Sequence, residues 1–529
     1  MTGGTDRIDE IVTADARRLV DIFKDLHRNP ELGFAEVRTA RKIAQALSDL
    51  GMTVTTGIGG TGVVAVLANG PGPVVMYRAD MDALQVPEAT GLDYASSNPE
   101  LGHMCGHDAH VTWMLGLAKV LAETTDSWSG TAVLIGQPAE ELIAGAHAMV
   151  DAGLYDVAPR PDAFLAMHTA PMPVGMVAAV GGERMAGTDQ LDIVFHGVGG
   201  HGSMPQLARD PVLMAAQAVV QFQSVVSRSV TPGEIAVLTV GSLQAGSTYN
   251  VIPDRALLKV NLRWFHPDVR ETLLTRIAAI CSGIARSFGV GEDQLPEITL
   301  AGGATPLVND AVLTDRVAAA LGELLGKDKV VRQLPALTGS EDCHLLKGPH
   351  VDMPLTYLLV GVADPQVYAQ SAERGQLFPY TPHAPDYVVD LSAIPLGTKI
   401  AARAMLELLT PGRFYYQLHA AEFLNYLCGP RRRAKVYCCG RSSQRPNRSA
   451  ALSRGPAARS DRGLRGIRLP QIGLLQGSAR RSVDQCRQLD PCCPLLRAQP
   501  RRPAGAVRID RARRRCRVPG VRRPAAAAG

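Results

Sequence analysis

The first 412 residues are poor in cysteine, holding only Cys105, Cys281 and Cys343 of the ten in the chain. Three widely spaced thiols make no disulfide framework, which points to a reducing compartment. Long hydrophobic runs are missing too: nowhere do ~18 apolar residues follow one another, so a membrane-spanning helix is not expected. The opening MTGGTDRIDEIV lacks the basic stretch and apolar run of a secretory leader. Together these absences make a cytoplasmic protein the expectation. Aromatic residues are few, at 5%, but 46% of the 529 residues are hydrophobic, enough for two or three domains with substantial cores.

Lysine is what the end of the chain lacks. Residues 413–529 carry 26 Arg and 1 Lys against 5 acidic groups, a net of +22, together with seven of the ten cysteines. The preceding residues carry −17, so the overall +5 conceals two opposed segments. The basic segment has no sustained hydrophobic period and cannot bury enough apolar surface to offset the entropy of ordering, so disorder is expected there. A basic arm for nucleic acid would account for its charge. An out-of-frame or read-through extension of a GC-rich gene accounts also for the cysteines and the abrupt change after a complete helix. That second reading is adopted, with no role for the tail and nucleic acid not expected as a partner.

Ahead of the tail the pattern is that of a layered α/β protein. Apolar residues recur at helical spacing from Ile11 to Leu26 and again from Glu36 to Leu50, on either side of the loop HRNPELGF. Buried β-branched runs follow at 63–67, 73–77, 131–136, 163–167 and 355–360, which predicts a central, mostly parallel sheet flanked by helices. Between about 184 and 296 the pattern changes to strands at 190–196, 235–243 and 255–265 with helices at 210–227 and 269–288, an inserted α+β module. The expected organisation is therefore a catalytic domain in two parts, 1–183 and 297–412, an insert at 184–296, and the tail 413–529.

Polar residues gather where the strands end. His103–His110 reads HMCGHDAH, dense in ligands for a divalent transition ion, although a polar turn with surface histidines would read the same. RADMDAL places Asp80 and Asp82 at the end of a strand, where α/β sheets bind ligands; they either cap the next turn or steady a metal-bound imidazole. PAEE puts Glu140 and Glu141 after another strand, MHTAP ends a third at His168, and PHAPDY offers His383 in a proline-stiffened loop. Cys105, His107, Glu141, His168 and His383 make five donors, more than one catalytic zinc uses, so two divalent ions (Zn, Mn, Co or Ni) sharing a water fit better. Glu140 is then the candidate general base, and Asp82 joins the catalytic set. A Cys105 nucleophile paired with histidine would leave Glu141, His168 and His383 idle. A non-catalytic, metal-stabilised binding protein with a nucleic-acid arm is the other alternative.

These motifs, with GGHGSMP, NVIPD and GSED, resemble the amidohydrolase branch of the aminoacylase/carboxypeptidase metallopeptidases, over about residues 15–411. Hippurate hydrolase and the hydrolases of auxin–amino acid conjugates belong to that branch. The resemblance implies cleavage of N-acyl amino acids or related conjugates, with carboxypeptidase or dipeptidase action as the alternative. It implies the same five metal ligands, Glu140 as base, and an insert serving as lid and homodimer interface. It also implies that His201 reaches a neighbouring subunit's site, and that Asn250 and Arg263 bind substrate, a guanidinium being a natural partner for a carboxylate. Two departures are visible: LIAGAHAM after PAEE is not glycine-rich, and Cys343 follows GSED where an aromatic is common, which suggests an effect on substrate shape.

Overall fold

A computed structural model describes residues 2–410 and 521–522. The expected disorder of the basic tail falls outside the described residues, apart from the strand Val521–Arg522. An eight-stranded mixed sheet forms the first core, in the order Thr53–Ile58, Gly62–Asn69, Gly130–Gln137, Val74–Asp80, Ala163–Pro173, Leu355–Ala363, Val177–Ala178 and Val330–Val331. Its four middle strands, from Gly130–Gln137 to Leu355–Ala363, run parallel.

Side chains of successive strand residues point to opposite faces, and here both faces are covered. Val63, Ala65, Val75, Tyr77, Leu134, Leu165 and Leu358 meet the helices Thr2–Arg28, His107–Glu123 and Ala393–Leu409. Their neighbours Val64, Met76, Val133, Ile135, Phe164 and Tyr357 face the other way, onto Met149, Leu154 and Leu346. Each such side chain contributes about 1.5–3 kcal/mol by leaving water. Helix packing on the first face is tight: a methyl on Gly397 would lie 2.2 Å from the ring of buried Trp113, whose indole N–H donates to Ala393 O at 3.1 Å.

The strand expected to end at His168 continues to Pro173, because its parallel partner Leu355–Ala363 keeps pairing with it as far as Ala363↔Pro173. His168 therefore sits within a strand, opposite Leu359.

The inserted module has a separate apolar core. Ala236–Ala245, Arg255–Trp264, Gly187–His196 and Glu297–Ala304 form an antiparallel sheet, with the helices Pro211–Ser229 and Pro267–Ser287 packed on it through Phe222, Ile277 and Cys281. Glu297–Ala304, beyond the boundary expected at 296, is its fourth strand, and Val521–Arg522 lies parallel to that strand. The chain passes between the two parts at 185–187 and 304–307. Among the described residues no helix is long and apolar enough to cross a membrane.

Candidate metal centre

The parallel strands deliver carboxylates and imidazoles to one end of the sheet, as strand direction requires. Cys105 and His107 arrive on the turn into the helix His107–Glu123. That turn needs Gly106: its φ is +81°, and a Cβ there would lie 2.8 Å from the Thr169 side chain. Thr169 Oγ1 donates to Cys105 O at 2.7 Å, tying the turn to the strand that bears His168. His383 has φ +68° and donates its backbone N–H to Met104 O at 2.8 Å, which brings the late proline-rich loop to the same turn.

The five expected donors come together. Cys105 Sγ is 3.4 Å from His168 Nε2, and His383 Nε2 is 3.3 Å from Glu141 Oε1. Donor atoms of Cys105, Glu141 and His383 lie within 4.8 Å of one another, as do those of His107, Glu140 and Glu141. Glu141 belongs to both groups, which suits two adjoining ions. The buried His107 Nε2 has no hydrogen-bond partner, yet Asp80 Oδ2, Glu141 Oε1 and Glu140 Oε2 stand around it at 3.4, 3.8 and 4.0 Å. An unpaired ring nitrogen ringed by carboxylates in a dry site is an environment for a cation, and the mixed S, N and O donors fit a divalent transition ion.

Asp82 touches the donors rather than the space between them. Its Oδ1 is 3.3 Å from His107 Nδ1 and its Oδ2 accepts the Glu141 backbone N–H at 3.0 Å. It thus lies against one imidazole and the backbone that bears one carboxylate.

Electrostatics follow from burial and crowding. Burial raises Glu140 well above the usual carboxylate range, and the neighbouring Glu341, Glu141 and Asp342 raise it further. Burial by itself would lower His107, but Asp80, Asp82 and Glu141 carry it up to about 10. Glu141 is lowered in spite of its burial, by His383, His107 and His168. Burial lifts the Cys105 thiol well above its ordinary range, with Glu141 and Glu140 adding to the effect. The rises at Glu140, His107 and Cys105 reflect crowded carboxylates in a dry place, whereas the fall at Glu141 reflects the imidazoles around it.

Beneath the donors lies a layer that the motif reading missed. Arg78 is wholly buried and donates to Gln137 Oε1, Asp80 Oδ2 and Glu341 Oε1, each at 2.8 Å. Asp342 accepts from Gln137 at 2.6 Å and from the Ala146 N–H at 3.0 Å; burial carries it up to about 7 against the pull of Arg78. Asp80 Oδ1 meets His110 Nδ1 at 2.5 Å, and His110 Nε2 accepts the Thr169 N–H at 2.8 Å, so the third histidine of HMCGHDAH is fully engaged. The available signal was alternation: Arg78, Asp80 and Asp82 are two residues apart, on one face of a strand and its extension.

The remaining expected residues divide. Arg263, from the insert, reaches Ser340 in GSED by a hydrogen bond from Nη1 and feels the charge of Glu140. His201 and Asn250 sit in exposed segments beside the two-residue ladder Val251↔His201, and no hydrogen bond or ion pair among the described residues joins them to the five donors. Cys343 is wholly buried in the apolar cluster with Met149 and Leu346. In LIAGAHAM, Leu142 is exposed and Ile143, two residues after Glu141, adopts φ +53°, a costly conformation for a β-branched residue.

Residues 76–407 match the model of peptidase family M20/M25/M40. The chain belongs to that family. It is a metal-dependent hydrolase. It is 35% identical over 333 residues to an N-acetyl-L-cysteine deacetylase of Bacillus subtilis, covering 63% of this chain and 78% of that protein. A hippurate hydrolase of Campylobacter jejuni is 41% identical over 270 residues, 50% of this chain and 69% of the relative. Among solved structures, a Bacillus subtilis dinuclear metal-binding peptidase of family M20 superimposes with a TM-score of 0.60 at 27% identity, covering 75% of this chain and 99% of that one. The family match and the fold of this M20 neighbour agree with the α/β architecture and the metal-dependent chemistry expected from the motifs.

Proposed function

We propose that this M20 protein hydrolyses the amide bond of N-acyl amino acids or related amino acid conjugates, with Glu140 as the general base. Cys105, His107, Glu141, His168 and His383 would hold two divalent cations. The observation that carries the reading is the convergence of those five side chains beside a buried Glu140. The names of the two relatives, an N-acetyl-L-cysteine deacetylase and a hippurate hydrolase, support the substrate class.

When bound, the cations supply Lewis acidity and lower the pKa of a water toward neutrality. Asp82 keeps Nε2 of His107 turned inward and fixes the backbone at Glu141. Glu140 takes the proton from the attacking water and returns it to the leaving amine. Arg263 takes the carboxylate of the substrate.

We read the insert as a lid that also joins two copies of the chain, so that His201 serves the neighbouring site with Asn250 beside it. Val220, Leu213 and Leu207 are exposed on the insert, and Ala236–Ala245 forms the outer edge of its sheet, features that support a self-association surface.

The decisive experiment is metal analysis and exhaustive chelation of the purified protein. Zn, Mn, Co or Ni would then be added back against a panel of N-acyl amino acids and dipeptides. Hydrolysis of the acyl amino acids that disappears with the metal and returns with one of the ions is the expected result. Activity that survives chelation but not thiol alkylation would instead make Cys105 a nucleophile. An active monomer on size exclusion would remove the dimer from the reading.

A further inference from the structure

Arg263 lies on the insert strand Arg255–Trp264, between Val237 and Thr188 of the neighbouring strands. Its Nε donates to Asn261 Oδ1 at 2.7 Å, and Nη1 donates to Ser340 Oγ. Asn261 is fixed in turn, since its Nδ2 donates to Oγ1 of the buried Thr188 at 3.0 Å. Ser340 Oγ donates to Ala186 O at 2.7 Å, so the one hydroxyl proton and an oxygen lone pair are both in use. Ala186 occupies the crossing between the two parts of the chain, and its N–H is held by Leu337 O at 3.0 Å and Gly339 O at 2.8 Å.

What the guanidinium lacks is an acid. Arg270, seven residues on, spends Nε and Nη2 on both oxygens of Asp189, and the buried Arg78 has three carboxylates. Half-buried Arg263 has no ion-pair partner among the described residues; burial holds it below the usual arginine range, and the acid it senses is Glu140. With Nε taken, the side-on mode that Arg270 uses is closed to Arg263, and an incoming anion meets the Nη2 end. A cation desolvated without a counter-charge, immobilised by neutral partners and set near the base is a vacancy for an anionic group of the substrate.

We propose that Asn261 and Ser340 are positioning residues that hold Arg263 as a preset clamp for the substrate carboxylate, Ser340 carrying that clamp across the junction between lid and catalytic domain. The inference rests on the amidohydrolase reading above. Presetting the side chain spares its ordering on binding, so the loss of either partner weakens carboxylate capture roughly tenfold.

The test uses the full chain with an N-acyl amino acid that it turns over and the matching α-carboxamide. Wild type is expected to show a much lower KM for the carboxylate. Ser340→Ala and Asn261→Leu are each expected to raise that KM about tenfold while moving kcat and the carboxamide KM far less. Ser340→Thr, which keeps the hydroxyl, is expected to retain discrimination. Variants that keep the wild-type ratio of the two KM values would overturn the proposal, as would equal losses of kcat on both substrates, which mark a merely structural role. Should Ser340→Ala fail to fold, Asn261→Leu reads the same question from the lid. A wild type hydrolysing acyl amino acids without distinguishing carboxylate from carboxamide would remove Arg263 from carboxylate binding and the proposal with it. An absence of any amide hydrolysis marks the failure of the underlying reading instead.

Discussion

The two cores differ in what they bury. Arg78, Asp80, Asp82, His107, Asp108, His110, Glu140, Glu341 and Asp342 are all buried in the catalytic part, whereas in the insert Asp189 is the buried charged residue among those described. The insert is an ordinary apolar core, with one acid satisfied by the Trp264 indole at 2.8 Å and both arms of Arg270. The catalytic part carries an excess of buried carboxylate over one buried guanidinium, an arrangement that costs stability and suits metal-dependent chemistry. Stability and function are thus divided between regions of one chain.

Substitutions can break that contrast at graded cost. Glu140→Gln tests the proposed base while keeping size and polarity; kcat should fall about 10²–10⁴-fold with metal content unchanged, and activity within tenfold of wild type would refute the base. Arg78→Leu leaves Asp80, Glu341 and Asp342 uncompensated and should cost about 3–5 kcal/mol in denaturant unfolding. In the insert, Asp189→Ala strands one guanidinium and one indole N–H, for about 1–3 kcal/mol; a loss as large as that of Arg78→Leu would erase the distinction between the cores.

The smallest effect concerns pH. His27 Nδ1 lies 2.6 Å from Asp108 and Nε2 lies 3.2 Å from Glu88, joining the first helix to the helix that begins at His107. Burial opposes the charged imidazole, but the two carboxylates lift it from 6.5 to about 9. A raised folded-state value means the contribution is complete below 6.5 and is lost as pH climbs through 9. Glu88, lowered from 4.5 to about 2 by His27 and its other donors against the effect of burial, keeps its contribution above 4.5 and loses it as pH falls through 2. Melting temperature should therefore decline between pH 6.5 and 9 in wild type, and less steeply in His27→Gln. Parallel declines would show that the latch contributes nothing.

Much of this was legible from local pattern. Helix positions followed from the 3.6-residue period and core strands from apolar β-branched runs, and the candidate donors stood out because Cys, His and paired acids recur at the ends of those runs. The supporting layer was not legible. Arg78 and Glu341 are 263 positions apart, and Glu341 and Asp342 look like surface acids until the fold brings them under Glu140. His110 stood outside the expected donor set, and its two hydrogen bonds, to Asp80 and from Thr169, appear only in the fold. The extra length of the strand through His168 was hidden for a related reason: pairing to a distant strand, not the local pattern, decided where it stopped.

The sequence by itself determined which segments become strands and helices and which side chain types stand at their ends, since those depend on neighbours a few residues away. Tertiary structure decided which ends meet. Cys105 and His383 share a site because a parallel sheet sends its strand ends to one side, and because loops closing over hundreds of residues chose the partners, a matter of long-range packing that no local period encodes.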